Sequence, residues 1–157
     1  MRRLAPLTVL LWSLASSACF AGGDIEAGWN AFASKDFRTA IRLWRPIAKH
    51  SDAKVQFTLG FLYRVGWGAP QDFEEAYKWL RMAADRGHSY AQSNLGFMYK
   101  DGEAVQANKV LAHMWLNLAA SNPENSAAAE ARDNLAKEMT AAQIAQAQTL
   151  AREWRPK

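Results

Sequence analysis

Apolar side chains at Leu59, Leu62 and Tyr63, with glycine at 66, fall at i, i+3, i+4 and i+7, one face of an α-helix. Phe57 and Phe61 lie on the other side of the same helix, so it is apolar nearly all round and needs cover from more than one neighbour. Gly66 suits a left-handed helix end, and Pro70 discourages helix in the turn that follows. Asp72 with Glu75 three residues later predicts a capping box opening a second helix, whose buried face is Ala76, Trp79, Leu80, Ala83 and Ala84. Gly87 ends it. The expected unit is a helical hairpin in which Gly60 lets the two axes approach closely, with the Ala83-Ala84 pair opposite and Trp79 filling the wider part of the wedge.

The same pattern returns one period later. Residues 53–88 and 89–124 align without gaps and agree at eleven of 36 positions, including Gly60/Gly96, Tyr63/Tyr99 and Trp79/Trp115. All but the Gln56/Gln92 pair are apolar, aromatic or glycine, so what repeats is packing rather than a catalytic constellation. A weaker copy precedes them: residues 24–52 read as a truncated N-terminal hairpin, with Ala40, Trp44, Ile47 and Ala48 at the buried positions. Residues 125–157 read as C-terminal capping helices. Ser126 is expected to cap the first, Thr140 with Gln143 the second, and Ile144, Ala147, Ala151 and Trp154 to form the inward stripe of the second. The fold class expected is all-α, a solenoid of stacked helix-turn-helix units.

The segments "LGFLYRVGWG…D…A…W…AADRG" and "LGFMYKDGEAV…N…A…W…AA" resemble the Sel-1-like repeat, a helix-turn-helix relative of the tetratricopeptide repeat. The resemblance covers residues 53 to about 121 well, and 24–52 loosely. Against the family's Gly-x-Gly-Val turn, the first copy has Ala69 in place of valine and the second has Ala104 in place of the second glycine; Pro123 replaces the glycine that would close the second unit. The resemblance implies a right-handed superhelical α-solenoid serving as a scaffold for protein–protein contacts, with many bacterial members exported. A cysteine-rich branch of the family is associated with penicillin binding and β-lactamase-like activity, its helices tied by cysteine pairs. Cys19 is the single cysteine here, so that activity is not carried over.

Arg2 and Arg3 followed by an uncharged stretch from Leu4 to Ala18, with small residues Cys19 and Ala21 at the −3 and −1 positions, form the pattern of a secretory signal peptide over residues 1–21. The expectation is an exported protein, periplasmic or secreted, with no transmembrane span. A lesser reading makes Cys19 a lipid anchor, with Ser16 where such sites usually carry leucine. Loss of Arg2 and Arg3 with the leader would lower the formal charge from +4 to +2, and no basic stripe interleaved with aromatics suggests nucleic acid.

Catalytic chemistry finds little support. His50, His88 and His113 are scattered without metal-ligand spacing, and no nucleophile elbow, phosphate loop or dinucleotide fingerprint occurs, so neither enzyme activity, metal nor cofactor is implied. The partner expected is a protein or peptide. In repeat solenoids the first helix of each unit lines the groove, where Phe61 and Arg64 recur as Phe97 and Lys100. Those four residues, with Trp67 at the rim and Phe57 and Tyr90 extending the patch, are the candidate partner-binding side chains. Phe61 and Phe97 either grip a partner or pack between adjacent first helices; Trp67 either anchors a partner or folds back over its hairpin. The competing classes are an enzyme or enzyme accessory acting on cell-wall or β-lactam substrates, and a lipid-anchored subunit of an envelope assembly.

Overall fold

The computed structural model describes residues 13–157, with side chains from residue 22 onward. The signal-peptide reading of residues 1–21 falls in part outside the described residues, and the side chain of Cys19, on which the lipidation reading rests, lies outside the described side chains. Among these residues are eight α-helices and no strand: α1 (Ser13–Ala33), α2 (Phe37–Trp44), α3 (Ala53–Val65), α4 (Phe73–Asp85), α5 (Ser89–Asp101), α6 (Lys109–Ala119), α7 (Ser126–Ala136) and α8 (Ala141–Glu153). The helices pair in sequence, α1 with α2, α3 with α4 and α5 with α6, and each pair stacks on the next. The chain is therefore a solenoid of helical hairpins, closed at its C-terminal end by α7 and α8 against α6.

Two glycines set the spacing inside the hairpins. A Cβ at Gly60 would sit 2.8 Å from Leu80 Cγ, and one at Gly96 would sit 2.7 Å from Leu116 Cγ. The expected partner of Gly60, the Ala83-Ala84 pair, is thus displaced by one turn to Leu80 and Ala76. The cause is where the hairpin closes. Asp72 N–H donates to Tyr63 O at 3.0 Å, and Asn108 N–H donates to Tyr99 O at 2.8 Å, which fixes the register of the antiparallel helices. The same bond leaves the capping box at α4 half-formed. Asp72 accepts from the Glu74 and Glu75 N–H groups, while Glu75 turns to the Trp79 indole at 2.9 Å. The box expected at α8 is complete, with Thr140 and Gln143 each bonded to the other's backbone.

Gly66 and Gly102 end α3 and α5 in the left-handed region, at φ 75° and 74°. Two residues further on, Gly68 has φ 81° and its repeat equivalent Ala104 has φ 57°, so the alanine departure keeps the turn geometry and strains the residue.

The one polar identity between the repeats joins unit to unit. Gln56 Nε2 donates to Ala48 O at 2.9 Å, and Gln92 Nε2 donates to Ala84 O at 3.3 Å, both side chains being buried. Each amide thereby satisfies a carbonyl near the end of the preceding unit's second helical segment. At the C-terminal junction Asn125 takes over: its Nδ2 donates to Ser89 Oγ at 2.9 Å. Asn125, not Ser126, consequently stands at the N-cap position of α7, with its side chain committed to α5 rather than to the helix end.

The buried face of α2 is Ala40, Ile41 and Trp44. Trp44 fits beneath Gly28, where any side chain would collide with its indole, and Trp44 Nε1 donates to Ile25 O at 3.3 Å. At the far end Trp154 packs edge-on to Trp115 at 6.3 Å, and Lys157 N–H donates to Asp85 O at 2.8 Å. The C-terminal residues thus return to α4, two helical layers back.

Candidate functional site

Lys54, Phe57, Phe61 and Arg64 occur at intervals of three, four and three along α3 and share one face. Phe57 and Phe61 are half-buried with ring centroids 6.2 Å apart. Beyond α3 the left-handed Gly66 bends the chain so that Trp67 lies flat on Phe37 (5.3 Å, 18°) and edge-on to Phe61 (6.0 Å, 89°). Gly68 permits this, because a Cβ there would come within 2.6 Å of Arg38 N at the start of α2. At the opposite end His88 stacks on Phe57 (4.6 Å, 22°), and Tyr90 stands 6.2 Å from the same ring.

The result is a continuous row, Trp67–Phe61–Phe57–Tyr90, rooted in the repeat at one side and open at the other. Its ends are the most accessible: Trp67 is 50% exposed and Tyr90 44%. They are the exposed large hydrophobic side chains among the described residues. Trp67 therefore does both of the things expected as alternatives. It folds back over its hairpin, and it still presents half its surface to solvent.

Arg64 has a different occupation. Its Nε and Nη2 hold Glu103 at 2.7 and 3.3 Å, and Nη1 donates to Asn94 Oδ1 at 3.2 Å. The guanidinium clamps the end of α3 to α5 and to the turn after it. Its repeat equivalent Lys100 is exposed, with Asp101 4.0 Å away. Phe97 and Lys100 line a groove of about 280 Å³ against α7, opposite Glu130 and Glu138. The Phe97 ring packs onto the small core formed by Ala112, Leu116 and Leu135. The structure thus brings Phe61 and Trp67 together in the aromatic row and places Arg64, Phe97 and Lys100 at junctions between units. Phe37, His88, Asn94 and Glu103 are participants the sequence did not nominate. The last occupies the variable position of the turn, equivalent to Trp67, and that correspondence was its available signal.

Packing tunes titratable groups both at this face and deeper in the stack. Burial lowers the His88 pKa, and the neutral Nδ1 accepts the Ala91 N–H at 3.3 Å. Between α4 and α5 the Tyr77 and Tyr99 hydroxyls meet at 3.0 Å, and burial with that bond pushes Tyr99 up to about 12, so its phenol stays protonated. Among the described residues no three His, Cys, Asp or Glu side chains converge in an arrangement that could hold a metal ion. What the face offers is a rigid aromatic surface with polar margins, suited to contact with another molecule.

A family model, the Sel1 repeat, matches residues 53–88 and again residues 89–123. Among solved structures, the chain is similar to a protective antigen of uropathogenic Escherichia coli strains displaying an SLR fold. They share 30% identity at a TM-score of 0.78, over 89% of this chain and 31% of that one. It is also similar to a Sel1 repeat protein from Oxalobacter formigenes, at 25% identity and a TM-score of 0.66, over 85% of this chain and 55% of that one. The chain therefore spans about a third to a half of the length of these structures. No curated protein matches it.

Proposed function

With residues 53–123 forming two consecutive Sel1 repeats in an all-helical solenoid, a fold that commonly mediates protein–protein interaction, we propose that this chain is an exported, non-enzymatic scaffold that captures an extended protein segment in the bacterial cell envelope. Proteins built from these repeats are typically non-enzymatic scaffolds. The segment lies along Trp67, Phe61, Phe57 and Tyr90, its side chains packing on the rings. The observation that carries this reading is the pair of exposed aromatics, Trp67 and Tyr90, at the two ends of one continuous row. Rigid aromatic rings bury large area at little entropic cost, which is why such side chains dominate binding energy at interfaces.

The test is selection of a phage-displayed random peptide library on the purified protein. Peptides should be enriched, and Trp67→Ala combined with Tyr90→Ala should weaken their binding by about tenfold or more. Equal binding to the double variant would overturn the assignment. Export is supported by the leader pattern of residues 1–21, and a C-terminal alkaline phosphatase fusion checks it: enzyme activity in intact cells supports export, and its absence refutes it. Mass spectrometry of the mature N-terminus separates a free Gly22 from an acylated Cys19. A turnover assay showing hydrolysis of a cell-wall or β-lactam substrate, abolished by one polar substitution, would replace the scaffold with an enzyme.

A further inference from the structure

Beyond the aromatic row, we infer that α2 is an electrostatic docking ridge for an anionic phospholipid surface. Residues 35–50 contain Lys35, Arg38, Arg42, Arg45 and Lys49 against the single acid Asp36, a net charge equal to the formal +4 of the whole chain. Arg38, Arg42 and Arg45 follow one another at intervals of four and three. At about 100° per residue they fall within an arc of about 60°, beside the buried Ala40, Ile41 and Trp44. Lys49 follows four residues after Arg45 in the 3-10 turn Ala48–His50. All five cations are exposed.

These charges are mostly unspent. Among the described residues Arg45 reaches Glu75 at 3.8 Å, and Lys35, Arg38, Arg42 and Lys49 have no carboxylate within salt-bridge distance. Glu75 is itself shared with Lys78 at 3.3 Å. Asp36 gives its carboxylate to the Thr39 N–H, which caps the helix. A line of like charge held on a folded helix repels itself, and a negative surface relieves that repulsion.

The chemistry of the ridge selects a membrane over a protein. Specific protein interfaces combine arginines with buried aromatic anchors. The aromatic nearest this ridge, Trp67, is already stacked flat on Phe37 and belongs to the aromatic row, and the other exposed large hydrophobic of the described residues, Tyr90, stands at the far end of that row. No described helix is long and apolar enough to cross a bilayer, so the contact proposed is peripheral. Charge without anchors gives attraction that depends on the density of negative headgroups and decays within a Debye length, about 10 Å at 0.1 M salt. Each basic residue at such a surface raises partitioning about fivefold. The ridge would hold the solenoid at the membrane while the row on α3 remains available to a partner.

The experiment is sedimentation of the full chain with large unilamellar vesicles of phosphatidylcholine alone, or of phosphatidylcholine with an equal part of phosphatidylglycerol. Comparing the two compositions cancels the contribution of any apolar segment. Binding should favour the anionic vesicles and decline as salt rises from about 50 to about 300 mM. The quadruple variant Arg38→Gln, Arg42→Gln, Arg45→Gln, Lys49→Gln should lose about a hundredfold or more of that preference. Arg152→Gln with Arg155→Gln, at the end of α8, should keep it. If the quadruple variant does not fold, the single changes Arg42→Gln and Lys49→Gln should each lower the preference about fivefold. No preference for the anionic vesicles, or a preference unchanged by the substitutions on α2, would overturn the inference.

Discussion

Arg64 and Glu103, 39 residues apart, meet in a two-pronged ion pair whose shorter arm is 2.7 Å. Both side chains are about four-fifths buried, so the pair is drier than an ordinary surface bridge. With Asn94 on its third nitrogen, Arg64 fixes how one repeat sits on the next. Arg64→Ala should therefore destabilise the protein by about 1–2 kcal/mol in urea unfolding, since Glu103 is left without its partner. Lys100→Ala, at the equivalent position of the next repeat, should cost no more than about 0.5 kcal/mol. Equal losses would mean that the clamp contributes no more than a solvated lysine.

Gly60 and Gly96 make a second relationship, this one inside each repeat. Alanine normally favours a helix interior over glycine by about 1 kcal/mol. Here the added methyl would stand 2.8 Å from Leu80 Cγ and 2.9 Å from the Leu80 backbone nitrogen, so the helices must separate. Gly60→Ala should lower stability by about 1–3 kcal/mol, measured by urea unfolding. An unchanged or raised stability would show that the hairpin tolerates a wider spacing.

Much of this architecture was legible because its cause is periodic. Ala76, Trp79, Leu80, Ala83 and Ala84 were expected on one face, and all are buried. The glycine helix ends were equally plain, since Gly66 and Gly102 adopt a conformation other residues avoid. What the sequence hid was pairing across distance. Gln56 and Gln92 stood out as the one polar identity, yet nothing local shows that their amides reach carbonyls eight residues back. Arg64 and Phe97 matched the pattern of a binding face, yet the acid on the next turn and the arrival of α7 commit them to junctions. The aromatic row is half visible in the sequence: the pattern picks out Phe57, Phe61, Trp67 and Tyr90, while the stacking of Phe37 and His88 needs the fold.

Among the described residues, two other than glycine carry positive φ, Lys35 at 62° and Ala104 at 57°. A side chain in this region costs about 1–2 kcal/mol that glycine avoids. Lys35 is exposed just beyond the end of α1, so Lys35→Gly removes strain along with one of the mutually repelling charges of the ridge. It should raise the unfolding free energy by about 1 kcal/mol in urea unfolding. Ala104→Gly should gain less, because the Ala104 methyl packs against the core. Destabilisation by Lys35→Gly would show that the turn is not strained.

Phe61 and Phe97 share a repeat position and differ in surroundings. Phe97 lies against Ala112, Leu116 and Leu135, where α7 closes the stack, whereas Phe61 meets Phe57 and Trp67 in the aromatic row. Phe97→Ala should cost about 2–4 kcal/mol by opening a cavity under α7, with little effect on a ligand held by the row. Phe61→Ala should cost less in thermal melting and weaken peptide binding more. The reverse order in both measurements would move the candidate site from α3 to the groove beside α7.

The last expectation concerns acid. His113 is 3% exposed, its Nδ1 has no hydrogen-bond partner, and burial with the neighbouring Arg132 guanidinium lowers its pKa; Asp133 opposes that shift. His88 is lowered too, chiefly by burial, with Asp52 opposing and Lys54 reinforcing the shift. For both groups the folded protein binds a proton less readily than the unfolded chain. Above about pH 6.5 both states are neutral and the full stability is present. As pH falls below that value, the unfolded chain takes up protons first, and stability declines until the folded-state pKa is passed. The limiting slope is about 1.4 kcal/mol per pH unit for each histidine, and less is expected from the more accessible His88. Protonation of His88 would also remove the acceptor for the Ala91 N–H at the start of α5. Urea unfolding between pH 7 and 5 should show this decline. It should largely disappear in a double variant, His113→Leu to fill the apolar site and His88→Asn to keep a cap. A decline of the same size in that variant would assign the acid sensitivity to other groups and remove these two histidines from the account.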